Sequence, residues 1–565
     1  MSGMGEIEVV DVVSNQTRQL SNPRFLLSEN GSFSLFSSIN SVSAWEGVYF
    51  FDSKSVTSHK VLHQVSHDKK VTGLEVSPKR VVRKSEGLVE QFSFSCGAWC
   101  YQARGDAHLV FGFDNRQAND FSTDGRFHDI KHVNKYTFEL VGKDSSVFVR
   151  FSQPIQVIDD WVELQTSFDK RRQGSACWWV HNRIRVHCRD SLRVVIASSQ
   201  EELSAAWRSD WDQSVVDASW PEHALDSLVV DTSFGPAILA GYPWFTQVWT
   251  RDEAISVGAL IDSHPKLVAK ILLRQVRRVD DTGRISNRTP GADLGSADGV
   301  GWVFTRLHQL YVSHPEVLSE SQWLECYHQL CVSLDRQFNH YLRGGLIIND
   351  AKETWMDTEA STDDVRLGAC IEIQALTLAS LQLAVDLAAR FDKNPSWWKN
   401  KQQSLLQVTR DELFIDGRLY DRKGDSTQRP NAFIALYVYP KLLSKQESVV
   451  ACNHLLDSLW LSWGGLSTID TSHPLFEESH TGMHDDSYHR GDSWYWVNAL
   501  ASIVLARHGE EFSKHVKQLR AACMNDLLWM GVVGHPSEIS SACSQEAFGC
   551  FSQAWSAALL IECLR

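Results

Sequence analysis

The spacing of apolar residues changes once along this 565-residue chain, near residue 225, and this change limits the possible folds more than any other feature. Before it, segments 145–158 and 178–199 alternate or run in β-branched and aromatic residues, with breaks at Asp, Asn, Ser and Gly. The first half lacks the long helical crossovers that a parallel sheet needs, so an antiparallel sandwich fits better. We therefore predict a β-rich sandwich domain over residues 1–215.

The period becomes helical after about residue 225, and a chain of this length is expected to form two domains. Helix pairs in series, separated by loops rich in Gly, Asp, Trp and Arg, indicate an all-helical ring of about six hairpins over residues 225–565. The candidate helices lie near 252–262, 265–279, 299–313, 319–341, 369–391, 396–412, 430–439, 445–461, 493–508, 511–528 and 552–564.

Charge and composition narrow the classes of partner. The formal net charge is -14, so the surface repels phosphate groups, and we expect no nucleic acid and no membrane as partners. A neutral polysaccharide is not excluded by that charge. The 21 tryptophans fit a large aromatic core and also faces on which sugar rings stack.

Cellular location and cofactors follow from weaker signals. The twelve cysteines are scattered rather than spaced as a disulfide framework, and the N-terminus lacks a basic head followed by an apolar run. We therefore expect a cytoplasmic protein. The 22 histidines form no metal-ligand spacing such as H-E-x-x-H, so we expect no metal and no organic cofactor. The sequence leaves the oligomeric state open.

Loops of the helical half carry clusters of Trp, Arg, Asp and His, which suit a sugar site. Asp and Arg side chains can hold neighbouring hydroxyls by paired hydrogen bonds while an indole packs on the ring. A plain helix N-cap is the alternative for Asp252 and, with equal weight, for Asp298. The sugar-binding candidates are Trp244, Trp249, Arg251, Asp252, Asn287, Arg288, Asp298, Trp302, Trp355, Arg429, His489, Arg490 and Trp494.

The segment "DAKETWMDTEAS" (350–361) offers a general acid. An indole such as Trp355, close before a short carboxyl side chain, can shield the acid from water, which raises its pKa. We take Asp357 as the candidate. Its competitors are Asp350, Glu353 and Glu359.

The segment 531–560 offers a general base. Glu538 follows Pro536 in a polar loop before the last helix, where a carboxylate stays ionised and can activate water. Glu546 in the same segment is the competing residue.

Six short motifs in order across residues 235–560 resemble the amylo-α-1,6-glucosidase family, the glucosidase part of glycogen debranching enzymes. They read "GYPWF…WTRDEA", "SAD…W", "TWMD", "RPN", "YHRG..W" and "GC.SQAWS". More distantly, "WTRD" and the late Glu loop resemble glucoamylases. The last motif adds Gln553 and Trp555 to the substrate-binding candidates. The chain departs from the family at Asp492-Ser493 and in the residues before Glu538.

The resemblance implies an (α/α)6 barrel behind the sandwich and an inverting hydrolysis of α-glucans. It places the general acid on Asp357 and the general base on Glu538, with roughly 6.5–9.5 Å between the two carboxyls. We expect no transferase activity, because the sandwich and the barrel leave no room for the TIM barrel of about 250 residues that such a module needs.

Other functions stay open. The named groups all hold the terminal sugar, so an exo-α-1,4-glucosidase like glucoamylase, or a glucosidase of a small α-glucoside, competes with an α-1,6-glucosidase. A glycan-binding protein without catalysis is the alternative from another class.

Overall fold

The computed structural model describes residues 6–118, 120, 128–142, 145–171, 174, 177–211, 219–291, 295–358 and 366–565. Its first half is built from strands. These strands are β1 (Ile7–Asp11), β2 (Gln16–Leu20), β3 (Arg24–Glu29), β4 (Ser32–Ser37), β5 (Gly47–Asp52), β6 (Thr57–Ser66), β7 (Val71–Ser77), β8 (Arg80–Ser85), β9 (Leu88–Ser95), β10 (Ala98–Gly105), β11 (Ala107–Gln117), β12 (His128–His132), β13 (Thr137–Gly142), β14 (Ser146–Phe151), β15 (Gln156–Gln165), β16 (Cys177–Cys188) and β17 (Ser191–Ala197).

The strands form two sheets that pack face to face. One sheet has ten strands in the order β12-β13-β14-β17-β10-β9-β8-β7-β1-β2, and the other has seven in the order β15-β16-β11-β6-β5-β4-β3. The pairings are antiparallel except for β1 with β7. Aromatic rings join the sheets across the core, as where Tyr101 meets Phe111 at 5.5 Å. The predicted sandwich is confirmed.

The rest of the chain is helical. Two short helices, α1 (Ser167–Arg171) and α2 (Gln200–Arg208), belong to the sandwich half. The helices that follow are α3 (Trp220–Asp226), α4 (Thr250–Ser256), α5 (Pro265–Val276), α6 (Gly299–Ser313), α7 (Glu320–Tyr341), α8 (Ile371–Arg390), α9 (Ser396–Leu413), α10 (Asn431–Val438), α11 (Lys445–Leu459), α12 (Tyr495–Ala506), α13 (Ser513–Asn525) and α14 (Ala554–Leu564).

These helices form a closed double ring. The even-numbered helices from α4 to α14 each contact the next one, and α14 closes the ring against α4. The odd-numbered helices from α3 to α13 lie outside and pair with them, which is the expected (α/α)6 barrel. Ten of the eleven candidate helices are present within a few residues of their expected ranges, and the range 252–262 corresponds to α4 followed by a short 3-10 helix, Val257–Leu260. Helix α3 was missed, because the seven residues "WPEHALD" are too few to show a period.

Burial explains the composition of the inner ring. Helix α8 is the one helix of the described ranges that is long and apolar enough to cross a bilayer, and 89% of its most apolar stretch is buried. A helix that is apolar on all sides is expected where neighbours surround it. Its composition is therefore accounted for by its place in the barrel.

Short strands in the loops bring distant segments together. They are β18 (Val229–Thr232), β19 (Gly235–Ile238), β20 (Gly241–Tyr242), β21 (Val248–Trp249), β22 (Arg288–Thr289), β23 (Leu342–Arg343), β24 (Leu346–Ile347), β25 (Phe414–Ile415), β26 (Arg418–Leu419), β27 (Ser493–Trp494), β28 (Ile539–Ser540), β29 (Ala547–Phe548) and β30 (Ser552–Gln553).

Candidate active site

A cavity of about 170 Å³ opens where the inner helices begin. The lining residues lie before or at the start of α4, α8, α12 and α14, so these four segments meet at one end of the barrel. A cavity of about 150 Å³ in another protein binds one benzene molecule, so this one has room for about one ring. The lining residues are Ala240, Phe245, Trp249, Arg251, Asp252, Trp355, Asp357, Tyr488, Trp494, Glu538, Gln553 and Trp555.

Short ladders hold these loops in register. Strand β20 pairs with β30, so that Gly241 lies opposite Gln553. Strand β27 pairs with β28, which sets Trp494 opposite Ile539 and therefore beside Glu538. The first and last inner helices and the loop of Glu538 thus share one small framework.

Glu538 is buried, with 2% of its surface exposed, and its carboxylate accepts from at least two donors. The Tyr488 hydroxyl donates to Oε1, and the Cys550 backbone N–H donates to Oε2 at 2.7 Å. Hydrogen bonds donated to a carboxylate stabilise its charged form. This environment suits a carboxylate that accepts a proton from water.

Asp357 has the opposite character. Its side chain is 38% exposed and lies on the cavity, and Arg251 Nη1 donates to it at 3.3 Å. Although the side chain reaches the cavity, the protein around it removes most of its water, and this desolvation raises the pKa of Asp357 to about 6 from its ordinary value of 3.8; the Arg251 charge only partly opposes that rise. A carboxyl group that keeps its proton at mildly acidic pH suits proton donation.

A third carboxyl, Asp252, lies on the same cavity but deeper, with 6% exposed. Burial raises its pKa to about 7, and the charges of Glu538 and Asp357 add to the rise. Gln553 donates to it at 3.3 Å. Asp357 is more exposed than Asp252, so it is the better placed of the two to reach a group that enters the cavity from solvent.

Several residues that line the cavity carry a buried polar atom without a hydrogen-bond partner. Among the described residues, buried side-chain atoms of this kind include Arg251 Nη2, Gln553 Oε1 and the indole N–H groups of Trp249 and Trp555. Buried polar groups in proteins are rarely left unpaired. Three donors and one acceptor of this kind thus belong to residues that line the cavity.

The segment of Asp357 is anchored from behind. The Trp355 indole N–H donates to Asn431 Oδ1 at 2.6 Å, and Asn431 donates to Asp421. Arg366 joins Asp421 to Glu372 by buried ion pairs. Asn431, from the "RPN" motif, therefore fixes the indole two residues before Asp357.

Nine of the residues expected at the site from sequence line the cavity, and eight do not. Trp244 is one of the eight, because it packs on Trp45 and Phe551 with 5.4 Å between ring centres in both contacts. Trp302 is another, since it is 2% exposed and packs inside the ring against Trp496 and Tyr437. Both tryptophans belong to the aromatic packing behind the site.

Three polar candidates on the segment between α5 and α6 are also absent from the cavity lining. Asp298 precedes α6 but makes no side-chain cap there, and instead accepts from Arg251 Nε at 2.8 Å. Asn287 accepts from the Arg251 backbone N–H. Arg288 pairs with Trp249 across a ladder. Their contacts hold Arg251 and Trp249, which do line the cavity.

Asp252 is not the N-cap of helix α4, since that position belongs to Trp249.

The remaining three candidates fix the loop before α12. His489 stacks on Trp494 at 5.3 Å and pairs with the Thr358 hydroxyl at 2.8 Å. Arg429 donates to the His489 carbonyl at 2.9 Å. Arg490 is 3% exposed and is likewise absent from the lining.

The competing carboxyl groups lie elsewhere. Asp350 is exposed, and Glu353 is ion-paired with Arg284 at 2.6 Å. Glu546 is nearly half exposed and pairs with Arg171 at 2.7 Å. Glu359 lies outside the described residues. Asp357 and Glu538 thus share the cavity only with Asp252 among the carboxyls of the described chain.

Sequence analysis missed Ala240, Phe245 and Tyr488. Phe245 and Tyr488 lie inside the motifs "GYPWF" and "SYHRG", next to residues that were chosen. A tyrosine directly before His-Arg was a detectable signal, because its hydroxyl can donate to a carboxylate. Ala240 carries no chemical signal in the sequence. The described residues contain no group of three or more His, Cys, Asp or Glu placed to hold a metal ion.

Gly549 gives a test of how tightly Glu538 is held. Its φ is +66°, and a Cβ there would lie 2.5 Å from Glu538 Oε2. We expect Gly549→Ala to lower kcat at least about 10-fold, because a small displacement of a reacting group is costly. Gly509→Ala is the matched control, since Gly509 has φ +71° and open space around its Cβ. Equal kcat of the two variants would contradict the expectation.

The fold and the cavity define the class of protein. A β-sandwich followed by a ring of six helical hairpins, with three carboxyls on one cavity, fits a glycoside hydrolase. Residues 222–562 match the family described as amylo-alpha-1,6-glucosidase. That match covers more than half of the chain, and the chain belongs to this family.

Solved structures and curated sequences give further comparisons. An uncharacterized conserved protein from Thermus thermophilus is 14% identical, with a TM-score of 0.46 over 58% of this chain and 96% of that one. The GH63 mannosylglycerate hydrolase from the same organism, in complex with Tris and D-glycerate, is 14% identical, with a TM-score of 0.48 over 61% and 99%. Its complex with glucose is 13% identical, with a TM-score of 0.47 over 62% and 100%. No curated protein sequence matches the chain significantly.

Proposed function

We propose that this protein is an inverting exo-glucosidase that removes glucose from α-1,6 branch points of an α-glucan, without transferase activity. The observation that carries the proposal is the single cavity on which Asp357 and Glu538 both lie. Membership of the amylo-alpha-1,6-glucosidase family supports the choice of glucose and of the α-1,6 linkage. The cytoplasm is the proposed location, on the basis of the scattered cysteines.

The proposed chemistry uses the two carboxyls on opposite sides of C1. Asp357 gives its proton to the glycosidic oxygen while the C1–O bond breaks and the aglycone leaves as an alcohol. Glu538 takes a proton from a water molecule, whose oxygen attacks C1 from the other face. The leaving group thus takes its proton from Asp357, and C1 takes its new oxygen from water on the opposite face. The product is therefore β-glucose.

The other lining groups hold the terminal sugar. Asp252, Arg251 and Gln553 offer charged or amide groups for paired hydrogen bonds to hydroxyls. Aromatic walls come from the indoles of Trp249, Trp355, Trp494 and Trp555. A cavity for one ring accounts for release of one glucose at a time.

A panel of substrates with different linkages tests which linkage the enzyme cleaves. We expect free glucose from a branched limit dextrin with single-glucose stubs and from isomaltose, and slower release from maltose and trehalose. Faster release from maltose would favour an exo-α-1,4-glucosidase. Release only from a small glucoside would indicate that the substrate is a small α-glucoside and not a polymer. Transfer of maltosyl or maltotriosyl units would contradict the absence of transferase activity. Binding without any release would indicate a non-catalytic glycan-binding protein.

The pH dependence follows from the pKa of Asp357. The group acts in its protonated form, and burial raises its pKa to about 6, so the active fraction falls about tenfold per pH unit above that value. We expect kcat/KM to decline above about pH 6 as Asp357 loses its proton. The ionisation of Asp252 should change kcat/KM again near pH 7. Measurement of kcat/KM across mildly acidic to mildly alkaline pH checks this. A profile that stays flat on the alkaline side of the Asp357 pKa would contradict the assignment.

A further inference from the structure

The loop that carries Glu538 is held from the sandwich half of the chain. We define the base loop as residues 531–553. Within it, Glu538 and Cys550 exchange two hydrogen bonds, because the Glu538 backbone N–H donates to the Cys550 carbonyl at 2.9 Å and the Cys550 N–H donates to the Glu538 carboxylate. The position of the carboxylate therefore depends on the backbone at Cys550.

The residue after Cys550 is clamped by the sandwich. Phe551 is 1% exposed, and its ring meets the ring of Phe168 at 5.1 Å. The Arg24 guanidinium lies over both rings, 4.1 Å from the centre of Phe168 and 4.6 Å from that of Phe551. Phe168 belongs to helix α1 and Arg24 opens strand β3, so both clamping residues come from the sandwich half.

The other end of the base loop contacts the same strand. Arg24 and Val532 form a parallel bridge, and the Val533 N–H donates to the Arg24 carbonyl at 3.2 Å. Glu538 follows closely along the chain. One residue of β3 thus contacts the base loop at both ends, by its backbone at Val532 and Val533 and by its side chain at Phe551.

Helix α1 is itself fixed in place. Asp169 accepts from the Ser43 hydroxyl at 2.8 Å and from the Ala44 backbone N–H at 2.7 Å. The Phe168 N–H donates to the Val42 carbonyl at 2.9 Å. These contacts tie α1, and with it the Phe168 ring that meets Phe551, to the sandwich half of the chain.

We propose that the sandwich is a positioning element of the active site, in which Phe168 and Arg24 clamp Phe551 and so place the Glu538 carboxylate. The inference rests on the proposed role of Glu538 as the base. Phe168 is not among the lining residues of the cavity and acts through Phe551. The sandwich would then affect the chemical step more than the binding of the sugar.

The test compares Phe168→Ala with Phe168→Leu in the full-length chain. We expect Phe168→Ala to lower kcat between about 10- and 100-fold with KM changed less than about threefold, and Phe168→Leu to restore most of kcat by refilling the contact with Phe551. Phe138→Ala is the matched control, because Phe138 is equally buried and its ring contacts, Phe113 and Phe151, lie within the sandwich. All assays are run well below the melting temperature of each variant.

Two outcomes overturn the inference. One is a kcat of Phe168→Ala equal to that of Phe138→Ala, and the other is a loss that appears in KM alone. Hydrogen exchange distinguishes failure of the positioning role from failure of the proposed function. If the wild-type protein releases no glucose, we still expect faster exchange of peptides covering Cys550 and Phe551 in Phe168→Ala than in Phe138→Ala, and equal exchange would overturn the positioning role independently of activity.

Discussion

Replacement of Asp357 by Asn is expected to lower kcat for glucose release from isomaltose or a limit dextrin by about 10²–10⁴-fold. The amide has nearly the same shape as the carboxyl and can still accept from Arg251 Nη1, but it cannot act as an acid toward the leaving oxygen. The sugar contacts stay in place, so KM should change little. The decline of kcat/KM above about pH 6 should weaken with the loss of this acid.

A substrate that needs no acid isolates the role of Asp357. Fluoride leaves C1 without protonation, so α-glucosyl fluoride should be hydrolysed by Asp357→Asn with a much smaller loss than isomaltose. Glu353→Gln is the matched control in the same segment, because Glu353 pairs with Arg284 away from the cavity. Equal losses on both substrates would count against a general acid at this position, and activity close to wild type would remove Asp357 from the mechanism.

Replacement of Glu538 by Gln is expected to lower kcat by about 10³–10⁴-fold on every substrate. The attacking water loses the group that takes its proton, a carboxylate that Tyr488 and the Cys550 backbone hold in place. Fluoride as leaving group gives no relief, because water must still be activated. The two variants therefore differ in their response to α-glucosyl fluoride, which neither a folding defect nor weak binding would produce.

Glu546→Gln is the control for this second variant. Glu546 lies further along the base loop, is nearly half exposed, and pairs with Arg171 on the surface. We expect its activity to stay within about twofold of wild type, since exposed ion pairs contribute little. A larger loss in Glu546→Gln than in Glu538→Gln would reverse the assignment of the base. Circular dichroism of each variant checks that the fold is kept.

Much of the architecture could be predicted from sequence because burial imposes a period. The long helices of the ring, such as α7 and α8, show a wide apolar face or are apolar throughout, so their ranges agree with the structure to within a few residues. Strand β14 alternates buried and partly buried residues as a half-buried strand should. Helix α3 is too short to give such a signal.

The candidate site could be predicted only in part because composition does not tell which side of a loop faces the cavity. Trp249 and Trp302 both stand in motifs, yet one lines the cavity and the other packs inside the ring. Asp298 had two expected roles, cap and sugar ligand, and instead pairs with Arg251. Tyr488 was missed because its partner, Glu538, lies far away in the sequence.

The anomer released in the first minutes of reaction tests most directly whether Asp357 and Glu538 act from opposite faces of one sugar. Proton NMR of wild-type enzyme with isomaltose or α-glucosyl fluoride would record the anomeric proton signals before mutarotation mixes them. We expect β-glucose to appear first, since water attacks the face opposite the departing group. Initial release of α-glucose would contradict inversion and the acid and base roles assigned to the two carboxyls.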